Sequence, residues 1–413
     1  MIFFYGITFY RKCQYIAPVC NSHGPNWYTR VMITQPTIIV LFGITGDLSK
    51  RKLLPAIAQL REQGELPEKF KLVGVTRREG VEIEGVETFK MDLGSPADYG
   101  TLKIRLEEIE KEFCVPAQRL FYMAVAPTVL LPIIEQLDAA GLSKVVNTKL
   151  LIEKPFGTDQ ENGAMLVHNI NNYFVSEQVY RIDHYLAKDS VRELAKKHVE
   201  KAGLKKIEII ASESIAIEGR SDFYEQTGAL RDFIQSHLLE VLATTLIDLP
   251  KETTPAPGLP PYGPEARLKV LQQLAVQDPI ASFVKRGQYK GYREDTGNKD
   301  SMTETFVSVQ LQSSDPLLKD VSIELKTGKA LDKKLTEVRL FYTSATTIYS
   351  LDDKKNAYEG VFLDAIMGEK TFFISPEEVL EDWRIVAPIQ EAWKQTSNDL
   401  VIYTQGENIE TIV

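Results

Sequence analysis

Cysteine is scarce in this chain: Cys13, Cys20 and Cys114 are the only three in 413 residues. They form neither a CxxC pair nor a metal-ligand spacing, and a secreted chain of this length would usually carry more, so a reducing cytoplasm fits best. Long apolar runs are also missing. Apolar residues make up 44 % and charged residues 25 %, close to ordinary globular usage, which excludes wholesale disorder and a multi-span membrane protein. Positive charge is in short supply, with 48 Lys and Arg against 57 Asp and Glu for a net of −9. Such a surface repels a nucleic-acid backbone, and any phosphate ligand must find a local basic site. The opening MIFFYGITFYRKC is apolar, but its positive charge follows the apolar stretch and no small-residue cleavage site comes after it. It therefore reads as neither an export signal nor a membrane span.

The length corresponds to between two and three domains at roughly 150 residues each. Residues 1–31 precede the periodic pattern and read as a tail or a start-site artefact. From Thr37 onward, β-rich runs (TIIVLFG, KLVGVT, RLFYMAV, LLIEKP) alternate with amphipathic stretches such as LLPAIAQLREQ and LLPIIEQLDAAG. That alternation predicts parallel βαβ units of Rossmann type over 32–183. Beyond Asp183 the period changes. Two helical patterns, Ser190–Lys201 and Gly228–Leu246, precede strands alternating at Val321, Ile323, Leu325 and at Val338, Leu340, Tyr342. This predicts an α+β domain over 184–413 with a large, mainly antiparallel sheet covered on one face by helices. Residues 252–264 and 287–301 read as loops. The cleft between the two domains is the expected site.

The segment VLFGITGDLSKRKLLPAI puts Gly43 and Gly46 between an apolar strand and a helix, where backbone N–H groups hold a pyrophosphate. It is not a full GxGxxG, and a purely structural turn is the alternative. The second strand ends in Arg77 and Arg78, where an NAD site would carry a carboxylate for the ribose 2′-hydroxyl; guanidinium there suits a 2′-phosphate, favouring NADP with NAD as the alternative. In LLIEKPFG, Lys154 arrives at the carboxyl end of the sheet, followed by Pro155, whose peptide bond sequence alone leaves cis or trans. RIDHYLAKDSVREL sets His184 and Lys188 four apart, on one face if helical, with Tyr185 between them and Asp183 before them: two donors able to grip a phosphate, or a solvated helix face. Asp232 and His237 lie on an otherwise apolar helix with Leu230, Ile234, Leu238, Val241 and Leu242, so they require partners. A neighbouring carboxylate would make His237 a base near neutral pH. Lys329, Lys333 and Lys334 sit in a loop between two strands, either a basic surface turn or the positive charge that meets a phosphorylated substrate.

Taken in order, GITGDLSKRKLLPA, IEKPFG, RIDHYLAK, GALRDFIQSHLL, RGQY, GYRED, TETF and TGKALDKKLTEV resemble the glucose-6-phosphate dehydrogenase family from about Thr37 to Lys394. The resemblance implies an NADP-linked enzyme that oxidises glucose 6-phosphate at C1 to 6-phosphogluconolactone, in the oxidative pentose phosphate pathway, without a metal. It aligns His237 with the general base and Asp183 with the carboxylate that orients it. It aligns His184, Tyr185, Lys188 and Lys329 with the phosphate grip, and Lys334 with a position where many relatives have arginine. Lys154, Glu213 and Asp232 align with residues that contact the sugar or help place the nicotinamide; Gly43, Thr45, Gly46, Asp47, Leu48 and Arg77, with Lys154 again, align with the coenzyme site. The chain departs from the family in a shorter, Lys-rich stretch between Lys188 and Glu213 and in sheet strands lost after Lys334. Ala187, Asp189 and Ala126 also replace familiar residues. Since that sheet builds the family's dimer interface, a homodimer is left open. The alternatives are a sugar or cyclitol oxidoreductase of glucose-fructose oxidoreductase type, against which RIDHY and the Asp232–His237 segment argue, and a non-catalytic sugar-phosphate sensor.

Overall fold

In a computed structural model, described over residues 34–249, 262–396 and 399–412, the parallel βαβ units are present. Strands β1 (Thr37–Phe42), β2 (Phe70–Thr76), β3 (Glu87–Lys90), β4 (Gln118–Met123), β5 (Thr148–Glu153) and β6 (Val179–Ile182) form a parallel sheet in the order β6-β5-β4-β1-β2-β3. The buried run TIIVLF explains the centre of that sheet: every residue of β1 is buried. Side chains alternate across a strand, so Ile38, Val40 and Phe42 join one core while Ile39 and Leu41 join the other. Helices Pro96–Phe113, Pro127–Ala139 and Gln160–Asn171 contribute to the first core, and Leu54–Glu62 and Ala357–Met367 to the second.

The second sheet contains β7 (Leu204–Ser212), β8 (Leu274–Val276), β9 (Val284–Tyr289), β10 (Phe306–Ser313), β11 (Ser322–Gly328), β12 (Leu335–Tyr342) and β13 (Thr346–Ser350). Two short strands close the chain, one on each sheet: β14 (Phe373–Ile374) pairs antiparallel with β6, and β15 (Leu400–Tyr403) pairs parallel with β9. The large sheet runs β13-β12-β7-β11-β10-β9-β15. Most of its pairs are antiparallel, as the alternation predicts, but β7 and β11 are parallel. Ile207, Ile209, Ile323, Leu325, Val338 and Leu340 point from it into the shared core, together with Leu230, Ile234, Leu238, Val241 and Leu242. On its opposite face Lys206, Glu208, Glu324, Lys326 and Arg339 form a lattice of ion pairs. The last long helix, Pro376–Gln395, returns to the first sheet, where buried Trp383 donates Nε1–H to the Phe156 carbonyl at 2.9 Å.

Several sequence expectations need correction. The first helix after Asp183 spans Asp189–Ala195 rather than Ser190–Lys201, because the chain must turn before Leu204 to supply β7. Residues 184–187 form a turn, closed by the Ala187 N–H to the Asp183 carbonyl at 3.2 Å, so His184 and Lys188 do not share a helical face. The stretch 228–246 is broken: a wide-turn segment Leu230–Leu238 contains non-helical Gln235 and Ser236 before helix Leu239–Thr245. Residues 287–301, read as a loop, contain the end of β9 and the short helix Tyr292–Thr296. The expected tail, 1–31, and most of the loop at 252–264 lie outside the described residues.

The turn after β1 depends on a missing side chain. Gly43 has φ +81°, and a Cβ there would sit 2.1 Å from the Ala124 carbonyl oxygen; at Gly46 the nearest atom, the Gly43 oxygen, is 3.1 Å away. Gly43→Ala is expected to cost about 1–3 kcal/mol in urea unfolding, and Gly46→Ala less. Equal, negligible losses at both positions would show that the turn yields freely.

Candidate active site

Parallel strands deliver their carboxyl ends to one edge of the sheet, where ligands of such folds bind. β1 ends at Gly43, β2 at the exposed Arg77 and Arg78, β5 at Lys154 and β6 at Asp183. The Gly43–Gly46 turn is tied by the Gly46 N–H to the Gly43 carbonyl at 2.9 Å and by the Ser49 hydroxyl to the same oxygen at 2.8 Å. Thr45 and Leu48 are half-buried beside it, and exposed Asp47 pairs with Arg51 at 2.8 Å. The cradle that a Cβ at Gly43 would fill suits the close backbone approach of a dinucleotide phosphate, so the residues present fit a nicotinamide coenzyme.

Asp183 is the centre of the other half. It is 1 % exposed, and its Oδ1 accepts the Tyr185 N–H at 2.8 Å. Its Oδ2 faces His237 Nδ1 at 2.7 Å and accepts the Ser236 hydroxyl. Burial pushes the Asp183 carboxyl up, but His237, its hydrogen bond, His184 and Lys154 more than offset this and hold it well below the usual range. With Nδ1 engaged by the carboxylate, the imidazole keeps Nε2 as the nitrogen that can take a proton. Burial lowers the proton affinity of His237; Asp183 acts in the opposite direction. The ring is enclosed by Tyr185, stacked at 4.7 Å, and by His184, edge-on at 4.6 Å.

The broken helix is what lets Lys154 enter. Ser236 has φ +81° and ψ −82°, a conformation costing a non-glycine residue about 1–3 kcal/mol. Carbonyls left out of the regular helical ladder are available as acceptors: Lys154 Nζ donates to those of Asp232 at 2.6 Å and Gln235 at 3.1 Å. The Lys154–Pro155 peptide is cis. Burial lowers the Lys154 proton affinity.

Lys329 is 3 % exposed, pairs with Glu213 and lies 4.0 Å from Asp232. It is therefore no surface turn, although its neighbours Lys333 and Lys334 are exposed. Lys188 lies 3.9 Å from the Tyr185 ring centroid and donates to the Leu351 carbonyl at 3.0 Å. Burial lowers its proton affinity, Asp352 and Asp353 raise it, and Lys334 lowers it again, which links Lys334 to the cluster at longer range. Asp183, His184, Tyr185, Lys188, His237, Lys154, Asp232, Glu213 and Lys329 are thus connected by direct contacts, whereas the Gly43 turn and Arg77 occupy a separate part of the sheet edge. Sequence reasoning passed over Ser236. It also passed over Glu153, which receives a hydrogen bond from Tyr122 and whose carboxyl burial pushes up to about 7. No spacing signals either one, since both act through tertiary contacts. Among the described residues no group of three or more His, Cys, Asp or Glu could hold a metal ion, and no helix is long and apolar enough to cross a membrane.

Two family models match almost the whole described chain: "Glucose-6-phosphate dehydrogenase, NAD binding domain" over 40–84 and 82–193, and "Glucose-6-phosphate dehydrogenase, C-terminal domain" over 193–354 and 343–410. The chain belongs to the glucose-6-phosphate dehydrogenase family. It is similar to the glucose-6-phosphate 1-dehydrogenase of Bacillus subtilis, 28 % identical over 87 % of this chain and 92 % of that protein. It is likewise similar to that of Gluconobacter oxydans, 28 % identical over 90 % and 94 %. Among solved structures, a glucose-6-phosphate dehydrogenase in complex with its substrate glucose-6-phosphate has the same fold, with a TM-score of 0.78 at 22 % identity over 92 % of this chain and 96 % of that one. A myo-inositol dehydrogenase from Corynebacterium glutamicum aligns more loosely, with a TM-score of 0.51 at 13 % identity over 87 % and 97 %. The fold expectation, a Rossmann-type domain followed by an α+β domain with a large, mainly antiparallel sheet, is met, with parallel pairs at β7–β11 and β9–β15.

The electrostatics of the Asp183–His237 pair give a titration test. His237 should titrate below the ordinary 6.5, and Asp183→Asn, by removing the charge that raises it, should lower it further. Because the folded state binds the proton less readily than the unfolded chain, the His237 contribution to stability is present above about 6.5 and declines as pH falls below it. Nuclear magnetic resonance of the imidazole checks both points. A His237 titration above 6.5 would mean that Asp183 outweighs burial.

Proposed function

We propose that the chain oxidises glucose 6-phosphate at C1, with NADP as coenzyme, and that His237 is the base. The observation carrying this reading is the buried Asp183–His237 pair at 2.7 Å, set beside Lys154 and within reach of a basic cluster, in a chain of the glucose-6-phosphate dehydrogenase family. Relatives named glucose-6-phosphate 1-dehydrogenase support the substrate. When bound, the nicotinamide accepts the hydride from C1. The chain's own part is to hold the sugar and move one proton. His237 Nε2 takes the proton of the C1 hydroxyl as the C1–O bond becomes a carbonyl, giving the lactone, while Asp183 stabilises the resulting imidazolium. Lys154 is fixed by two backbone carbonyls, so its charge can orient the substrate and nicotinamide without moving. Lys188, His184, Tyr185 and Lys329 form the phosphate grip, with Lys334 at its rim; Glu213 and Asp232 hold Lys329 and offer acceptors to sugar hydroxyls. Remote binding of phosphate fixes C1 relative to His237 and lowers the entropic part of the barrier.

The coenzyme would be held by Gly43, Thr45, Gly46, Asp47 and Leu48, with Arg77 for the 2′-phosphate. The absence of a strand-end carboxylate at 77–78 favours NADP over NAD. The domain limits we infer are 32–183 for coenzyme and 184–413 for substrate, and three cysteines without disulfide spacing fit the cytoplasm.

Coenzyme reduction, followed with glucose 6-phosphate and glucose and with NADP and NAD, tests the reading. Turnover confined to the phosphorylated sugar and faster with NADP is expected. His237→Asn should lower kcat by about 10²–10⁴ with coenzyme affinity nearly unchanged, and Arg77→Ala should weaken NADP more than NAD. Unchanged turnover in His237→Asn would remove it as the base; equal rates with glucose would remove the phosphate grip.

A further inference from the structure

A second basic site lies on the far edge of the first sheet, where β6 meets β14 and the long helix Pro376–Gln395 begins. A pocket of about 300 Å³ opens there, and buried Arg181 and half-buried Lys370 are among its lining residues. Arg181 is 1 % exposed, yet its guanidinium makes no hydrogen bond or ion pair among the described residues, and its Nη2 is fully enclosed. The contrast with Arg267 is direct. That residue, on the helix Pro264–Gln272, is equally buried, and it is bound by Glu240 and Glu378, both at 2.9 Å, and by the carbonyls of Thr371 and Phe373. An enclosed guanidinium without an acceptor is costly, and an anion is the usual remedy.

Lys370 reaches the same pocket, with Nζ anchored on the Ser176 carbonyl at 2.6 Å and lying 4.8 Å from the Tyr180 ring centroid. The two cations sense each other: burial and then Arg181 lower the Lys370 proton affinity to about 8. Three carboxylates, Glu177, Glu265 and Glu377, line the pocket as exposed residues at its rim. None of them forms an ion pair with Arg181, although Glu377 favours its charged form at a distance. A buried and a half-buried cation beside exposed carboxylates suit a ligand with a phosphate at one end and hydroxyl groups at the other, since carboxylates accept hydrogen bonds from hydroxyls but repel further negative charge.

From this we infer that the Arg181–Lys370 pocket is a binding site for a small phosphorylated polyol, separate from the Asp183–His237 cluster. Arg181 and Asp183 lie on the same strand end, two residues apart, so occupancy there bears on the strand that carries the carboxylate of the dyad. The inference does not depend on the reaction proposed above.

Calorimetric titration of the full chain with inorganic phosphate and with glycerol 3-phosphate tests it. A binding event is expected that persists in Lys188→Ala and Arg77→Ala, weakens about tenfold or more in Lys370→Ala, and disappears in Arg181→Met. Glycerol 3-phosphate should bind more tightly than phosphate, and Glu377→Gln should reduce that preference. If Arg181→Met fails to fold, Lys370→Ala and Lys370→Glu carry the test. Binding that is abolished by Lys188→Ala or Arg77→Ala and indifferent to Lys370, or no binding in the millimolar range, would overturn the inference and leave water as the partner of Arg181. Equal affinity for both ligands would overturn its polyol part.

Discussion

A single carboxylate, removed from water at the junction of the two sheets, organises the site. Asp183 would be expensive to bury ionised, and it remains so because the Tyr185 N–H, the Ser236 hydroxyl, the His237 ring and the nearby Lys154 charge all converge on it. Each of these partners comes with a structural demand. The Tyr185 N–H requires the tight turn at 184–187, and Ser236 and His237 require the break in the helical segment. Lys154 requires the carbonyls that the same break leaves available. A change in any of the four would leave a buried charge short of a partner.

The same convergence links fold to chemistry. Lys154 and Asp183 belong to the first sheet, whereas His237 belongs to the helical layer that packs on the second, and Glu213 and Lys329 come from the ends of β7 and β11. The strands are held in register by an apolar core that runs without interruption through both sheets. The imidazole is therefore positioned by packing over large sequence separations, and the short dyad distance is a property of the whole domain arrangement. An imidazole surrounded by aromatic rings and excluded from solvent also stays neutral near pH 7, the state in which it can accept a proton.

Much of this was legible in the sequence because the informative residues sit at strand ends, where period and punctuation are clearest. TIIVLFG predicted a strand running into a turn, and LLIEKP and YRID marked the ends that carry Lys154 and Asp183. His237 could be singled out as a polar group on an apolar helical face. Other features depend on tertiary contacts that leave no local pattern. The break at Gln235–Ser236 sits inside a run of good helix formers, so propensity alone predicts a continuous helix; the need to give Lys154 its acceptors overrides it. The turn at 184–187 reads as helical by spacing but is fixed by Asp183. Lys329 reads as a surface lysine until Glu213 and Asp232, more than a hundred and about a hundred residues away in sequence, are brought beside it.

A double-mutant cycle shows whether Asp183 and His237 act as one unit. With kcat/KM measured for Asp183→Asn, His237→Asn and the double variant, strong non-additivity is expected: once either residue is replaced, replacing the other costs less than about tenfold. Two large effects that simply multiply in the double variant would contradict it, because they would mean that the carboxylate and the imidazole contribute independently.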